Sequence, residues 1–200
     1  MNNHLKNKII EEGQFPFKRR KYQYQSIKEE NMVGIRDMQH RYKIMKLPYS
    51  FKNKTILDIG CSIGMVCIEA YFRKALKCVG IDYQKTTVDV GKEYIKNQKY
   101  NTIHLYTFDI DQGLEELKKV IGEEKFDYVF ALSMWKHVNN EALFNIINYY
   151  CKEKCWFEAH NKQKKELVEA QLKKRLNFDQ IAYLGDTLDR GVRANFVLSK

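Results

Sequence analysis

Thr55-Ile56-Leu57-Asp58-Ile59-Gly60-Cys61-Ser62-Ile63-Gly64 decides how this chain folds. Its first half is an apolar, β-branched run broken only by Asp58, the pattern of a short buried strand. Gly60 lets the backbone turn sharply at the strand end, because glycine accepts a positive φ. Gly64 removes a Cβ where the following helix, read over residues 62–74, must pack closely on the sheet. The first N–H groups of that helix lack intrahelical partners and face whatever lies beyond the strand.

The same unit recurs along the chain. Strands are read at residues 78–82 (CVGID), 102–110 (TIHLYTFDI), 126–134 (FDYVFALSM) and 155–160 (CWFEAH). Between them, residues 85–97 and 114–121 read as helices, and Leu143, Ile146, Ile147 and Tyr150 form an i, i+3, i+4, i+7 stripe. A basic helix over 161–176 follows, then two strands, 180–188 and 193–200, joined by a turn at Asp189–Gly191. Five βα units and a terminal hairpin predict an α/β protein with a doubly wound sheet and helices on both faces.

Composition narrows the class. Two hundred residues suffice for one cored domain. With 44% hydrophobic and 30% charged residues, two prolines and ten glycines, the chain is neither disordered nor collagen-like. No apolar run approaches the ~20 residues of a membrane helix, and Met1–Ile10 lacks the apolar centre of a signal peptide, so a soluble, cytoplasmic protein without a membrane partner is expected. Cys61, Cys67, Cys78, Cys151 and Cys155 are odd in number and irregularly spaced. They read as reduced core residues, with no metal site. The formal net charge of +10 is uneven: residues 1–54 carry 13 Lys/Arg against 5 Asp/Glu, and residues 161–176 carry 6 against 2. Such patches either attract phosphates or form a solvated lysine-rich surface.

Ligands of doubly wound sheets bind beyond the carboxyl ends of the strands. Asp58 lies in the first strand, Asp82 ends the second and Asp109 ends the third. An acid at the second strand end can hold both ribose hydroxyls, and a carboxylate at the third can accept from an adenine amino group. Three acids at successive strand ends make a nucleoside site, whereas helix capping alone would not demand all three. Gly60-Cys61-Ser62 breaks the G-x-G-x-x-G pattern that a dinucleotide pyrophosphate needs, which argues against NAD.

Over residues 54–200 the sequence resembles a class I S-adenosylmethionine (SAM) dependent methyltransferase, and within that family small bacterial enzymes of broad substrate range. LDIGCSIG resembles the first family motif, with Ser62 at the usual middle glycine, and VGIDYQ the second. TFDID resembles the adenine-binding segment and FDYVFALSM the fourth-strand motif. The resemblance implies a Rossmann-like sheet of about seven strands, the last antiparallel. It implies SAM as methyl donor, S-adenosylhomocysteine as product, and a cofactor site of Asp58, Gly60, Cys61, Ser62, Gly64, Asp82, Tyr83, Asp109, Ile110, Leu132 and Ser133. Leu132 and Ser133 would lie beside the sulfonium.

The acceptor is less legible. The fourth strand end carries neither the Asn/Asp-Pro-Pro-Tyr of base amino methyltransferases nor a Pro-Cys nucleophile, and the acid of the Lys-Asp-Lys-Glu ribose enzymes is replaced by Ser133-Met134. His137, Glu158 and His160 are the candidate general bases. Residues 15–24 (FPFKRRKYQY) interleave basic and aromatic side chains, which can hold phosphates and stack bases. Residues 1–53 are expected to form a basic lid, with Arg36 a candidate for the SAM carboxylate or part of a helix packed on the sheet. The leading expectation is methyl transfer to a hydroxyl or amine of a small molecule or sugar. An RNA methyltransferase is the alternative, and a non-catalytic SAM-binding partner subunit the third reading.

Overall fold

In the computed structural model, which describes residues 3–12, 24–135, 137–161, 163–188 and 191–200, all five residues of β1 (Thr55–Ile59) are buried. Strand β1 sits between β2 (Lys77–Asp82) and β4 (Phe126–Leu132), parallel to both. The sheet runs β3-β2-β1-β4-β5-β7-β6, with β3 at Ile103–Thr107, β5 at Cys151–Glu158, β6 at Gln180–Thr187 and β7 at Arg193–Ser199. Strand β7 is antiparallel to both β5 and β6. The expected seven strands and antiparallel ending are present, and the antiparallel strand is inserted between β5 and β6.

Strand alternation divides the core in two. Ile56, Cys78, Tyr128, Phe130 and Trp156 face one layer, with α1 (Asn3–Glu12), α2 (Met38–Ile44), α3 (Met65–Phe72) and α4 (Lys85–Asn97). Leu57, Val79, Val129, Ala131 and Phe157 face the other, with α5 (Leu114–Ile121), α6 (Asn140–Tyr150) and α7 (Lys165–Arg175). The chain winds outward from β1 to β3 and returns to β4. The β1/β4 boundary is therefore the switch point, where such sheets open a crevice.

Several boundaries differ from the sequence pattern, each for a local reason. Helix α3 starts at Met65 rather than Ser62, because Ser62 (φ 54°) and Gly64 (φ 90°) both adopt left-handed conformations. Strand β3 ends at Thr107, and Asp109 caps a short 3-10 turn over Ile110–Gln112. Strand β5 begins at Cys151, which also caps α6, so helix and strand share a residue with no loop between them. Its polar Lys152-Glu153-Lys154 hid that start. Helix α1 was not expected: Leu5 and Ile9, one turn apart, are buried, and Lys8 pairs with Glu93 of α4 at 2.6 Å. Leu5, Ile9, Ile27, Met38, Tyr42 and Phe51 join the same core as Ile56 and Trp156. Most of the basic aromatic stretch, residues 15–23, and Asp189 and Arg190 of the expected hairpin turn lie outside the described residues. Among the described residues no helix is long and apolar enough to cross a membrane, and the five cysteines are buried and free.

One helix position sets how closely α4 approaches the loop after β1. A Cβ at Gly91 would lie 2.7 Å from the Ile63 carbonyl oxygen and 2.8 Å from Leu105. The nearer atom is backbone, so relief requires the glycine loop itself to move. Gly91→Ala is expected to lower stability by ~1–3 kcal/mol despite alanine's better helix propensity, as measured by urea unfolding. An increase in stability would show that α4 does not press on the loop.

Candidate functional site

A cavity of about 330 Å³ opens at the carboxyl ends of β1 to β4. Its β1–β3 end is acidic, lined by Asp58, Asp82 and Asp109. The two Asp82 oxygens accept from the backbone N–H groups of Ser62 and Gln84, both at 2.9 Å. The carboxylate is thereby fixed between the glycine loop and the start of α4. Burial raises the Asp82 pKa, and those two bonds oppose the rise. Asp109 Oδ1 accepts from Asp111 N–H at 3.0 Å. Asp58 is buried, and its Oδ2 has no hydrogen-bond partner. Burial pushes the Asp58 carboxyl up to about 7, with Arg41 pulling it down and Asp82 adding to the rise.

Ser62 (φ 54°) and Ser133 (φ 62°) line this cavity in left-handed conformations. Such conformations cost a non-glycine residue roughly 1–2 kcal/mol. Strain at both the β1 and β4 ends places irregular backbone on either side of the switch point.

A second cluster lies beside the cavity, at the end of β5. Glu158 is fully buried and accepts from four side chains of four segments. Arg36 Nη2 donates to its two oxygens at 2.8 and 2.9 Å. Arg41 donates through Nη2 at 2.7 Å and Nε at 3.2 Å. Thr187 Oγ1 of β6 donates at 2.7 Å, and Ser133 Oγ, after β4, also donates. Burial alone would raise the Glu158 pKa, but Arg41, Arg36 and the two hydroxyls hold it down at about 2. Arg36 carries this clasp to the cavity rim through its backbone. Its N–H donates to the Tyr24 carbonyl at 2.7 Å, and its carbonyl accepts from Ser26 at 3.0 Å. Tyr24 and Gln25 line the cavity. Helix α2 is seated by Tyr42 Oη on the Met65 carbonyl (2.8 Å) and by Trp156 Nε1 on the Met45 carbonyl (3.0 Å).

The β4–β7 end is different. His137 and His160 line it with ring centroids 4.9 Å apart, edge to face, together with Asn161 and Arg193. His160 Nδ1 lies 3.3 Å from the Asn161 carbonyl. Met134, Leu132 and Val138 supply the apolar wall.

Residues 50–180 match a family model described as a methyltransferase domain. The chain belongs to that methyltransferase family. A ubiquinone biosynthesis O-methyltransferase of Pelagibacter ubique is 29% identical over 112 residues, covering 56% of this chain and 40% of that protein. The chain thus matches two fifths or less of the length of such curated relatives. Among solved structures, a putative S-adenosylmethionine dependent methyltransferase from Listeria monocytogenes superposes with a TM-score of 0.61 at 14% identity, covering 82% of this chain and 99% of that one. Precorrin 8w decarboxylase of Methanobacterium thermoautotrophicum gives 0.62 at 22% identity, covering 88% and 97%. At these identities the structures establish the fold, which is that of the class I SAM-dependent methyltransferases.

Of the residues expected at the methyltransferase site, Asp58, Gly60, Ser62, Asp82, Tyr83, Asp109, Ile110, Leu132, Ser133, His137 and His160 line the cavity together. Cys61 and Gly64 do not. The Cys61 thiol is buried, 3.6 Å from the Ser62 carbonyl, and Gly64 packs under Leu105 as the cap of α3. Two more of the expected residues lie outside the cavity lining. Arg36 has its guanidinium on Glu158. Glu158 is enclosed by Arg36, Arg41, Ser133 and Thr187, which together hold its carboxyl down at about 2. Thr187 and Arg193 carry no motif, and only proximity in the fold reveals them. Arg41, which follows the Gly34-Ile35-Arg36-Asp37 run, lies on α2 and reaches both Glu158 and the cavity.

Removing one partner of a buried ion cluster leaves uncompensated charge and costs ~3–5 kcal/mol. Glu158→Gln is expected to lose that much stability at pH 7. Glu158 has a depressed folded-state pKa, so its stabilisation is full above its ordinary 4.5 and fades as pH falls toward about 2. Urea unfolding across pH 2–5 should show this acid slope in the wild type and a flatter one in Glu158→Gln. Equal slopes would mean that Glu158 is not clamped.

Proposed function

We propose that this chain is a SAM-dependent methyltransferase that methylates a hydroxyl or amine of a small molecule or sugar. The observation that supports this most is the alignment of three carboxylates at three strand ends along one cavity, with Asp82 held by two backbone N–H groups. The residues fit SAM chemically. The ligand is cationic at its sulfonium and amino groups, and the buried Asp58 Oδ2 offers an unpartnered acceptor at the acidic end. In this reading Asp82 holds the ribose hydroxyls and Asp109 the adenine amino group. Asp58 and Arg41 meet the charged amino and carboxylate groups of the methionine tail. When bound, SAM would supply an activated methyl group, whose carbon the acceptor would attack in line while the electron pair of the breaking C–S bond goes to sulfur and S-adenosylhomocysteine leaves.

The chain's task is then largely alignment, which supplies much of the rate in such a transfer. Leu132 and Ser133 form the wall beside the reacting centre, and the Glu158 clasp fixes Ser133 by its hydroxyl. His137 and His160, at the cavity mouth, are the candidates to take a proton from a hydroxyl acceptor. The O-methyltransferase names among the relatives favour a hydroxyl.

A ligand ammonium beside Asp58 favours the ionised carboxyl, so binding below pH 7 should release a proton. Calorimetry with S-adenosylhomocysteine at pH 6.5, in buffers of different ionisation enthalpy, is expected to show buffer-dependent heat for the wild type. Asp58→Asn should show none. Buffer-independent wild-type heat would remove Asp58 from the ligand site. The acceptor class is tested by incubating the protein and cell extract with methyl-labelled SAM. Label in a filterable metabolite is expected. Label in RNase-sensitive polymer would favour RNA, and S-adenosylhomocysteine binding without any labelling would favour a non-catalytic subunit.

A further inference from the structure

The outer edge of the sheet carries a second concave surface, which shares no lining residue with the cavity at the strand ends. Among the described residues β3 pairs with β2 alone, so its other side is an open edge. Between that edge and the C-terminal half of α4 lies a groove of about 550 Å³. Lys92, Lys96 and Lys99 stand along one wall, and Asn101 and His104 along the other. All five residues are exposed. Among the described residues no carboxylate lines the groove. The two carboxylates of α4 are committed elsewhere, Asp89 to Lys85 and Glu93 to Lys8. Lys77, Lys118, Lys119 and Lys173 likewise sit on carboxylates, whereas among the described residues Lys92, Lys96 and Lys99 form no ion pair. Lys92 and Lys96 are one turn apart on α4, and Lys99, in a left-handed conformation (φ 58°), turns the chain back toward β3. At the rise of a helix the row is roughly 10 Å long. Like charges at this spacing repel one another, and nothing in the groove relieves them.

We propose that this groove binds the phosphate backbone of a single-stranded nucleic acid, with the three lysines on successive phosphates. The proposal goes beyond the methyltransferase reading and does not depend on what occupies the cavity. Charge complementarity selects the occupant: an acid-free groove with a row of unpaired ammonium groups suits a polymer that carries one negative charge on every residue. A single row of cations matches one strand, whereas a duplex presents two backbones. Across the groove, the Asn101 amide and the His104 ring offer hydrogen-bonding groups to sugars and base edges. Binding would release the counterions held by the strand and relieve the repulsion among the lysines.

The test titrates the full chain into fluorescein-labelled oligouridylate in one arm and oligothymidylate in the other, followed by fluorescence anisotropy across roughly 50–200 mM salt. No S-adenosylhomocysteine is added, so the result is independent of the methyltransferase reading. Saturable binding that weakens with salt is expected, and the tighter arm identifies the strand as RNA or DNA. Lys92→Gln/Lys96→Gln/Lys99→Gln removes three exposed side chains and should fold as the wild type does, which circular dichroism checks. It should weaken binding about tenfold at low salt and lower the slope of log affinity against log salt by about 2, at ~0.7 per phosphate contact. Lys164→Gln/Lys173→Gln/Lys174→Gln, exposed residues at α7, removes the same charge elsewhere and should bind as the wild type does. The proposal is overturned if neither strand binds saturably, or if the groove variant keeps the wild-type affinity and salt slope. It is equally overturned if the α7 variant loses as much as the groove variant, or if polyglutamate of the same length binds as tightly as the nucleic acid.

Discussion

The meeting of two guanidinium groups with one carboxylate, Arg36 and Arg41 on Glu158, is the constraint on which the site depends. Each charge gives up hydration to enter the protein, and the cost is recovered only because Glu158 is satisfied from four directions. Such clusters add little net stability over a well-packed apolar equivalent, but they tolerate few alternative arrangements. Here the arrangement joins the segment before β1 to the ends of β4, β5 and β6. The cavity rim, the β4 end and the antiparallel hairpin are all referred to one carboxylate.

The clasp also explains why residues before β1 belong to the site without forming part of the sheet. Tyr24 and Gln25 reach the cavity because the Arg36 backbone holds the run that carries them. Arg41 faces both Glu158 and the cavity and exerts its field on Asp58. A change at the clasp therefore propagates to the acidic end of the cavity through a single guanidinium.

The sheet was legible in the sequence because its signals are local. TILDIG, CVGID and FDYVFAL are apolar runs of strand length, and the acids at their ends lie where a nucleoside-binding sheet would place them. The start of β5 was not legible, since Lys152-Glu153-Lys154 is a polar run without the apolar pattern of a buried strand. Helix α1 was hidden because its buried face is only Leu5 and Ile9 in a lysine-rich stretch. Glu158 and Arg36 were both singled out by position, but their pairing was not. Sequence order gives no sign that residues 122 positions apart will pair, and an unpaired glutamate at a strand end looks like a base.

The central claim, that the acid-lined cavity is a SAM site flanked by the Glu158 clasp, is tested most directly by a crystal structure with S-adenosylhomocysteine. The account predicts ribose hydroxyls on Asp82, the adenine amino group within reach of Asp109, the amino group against Asp58, and Arg36 and Arg41 still on Glu158. A ligand bound elsewhere would contradict the account. So would an adenosine that avoids Asp82, or Arg36 leaving Glu158 to grip the ligand carboxylate.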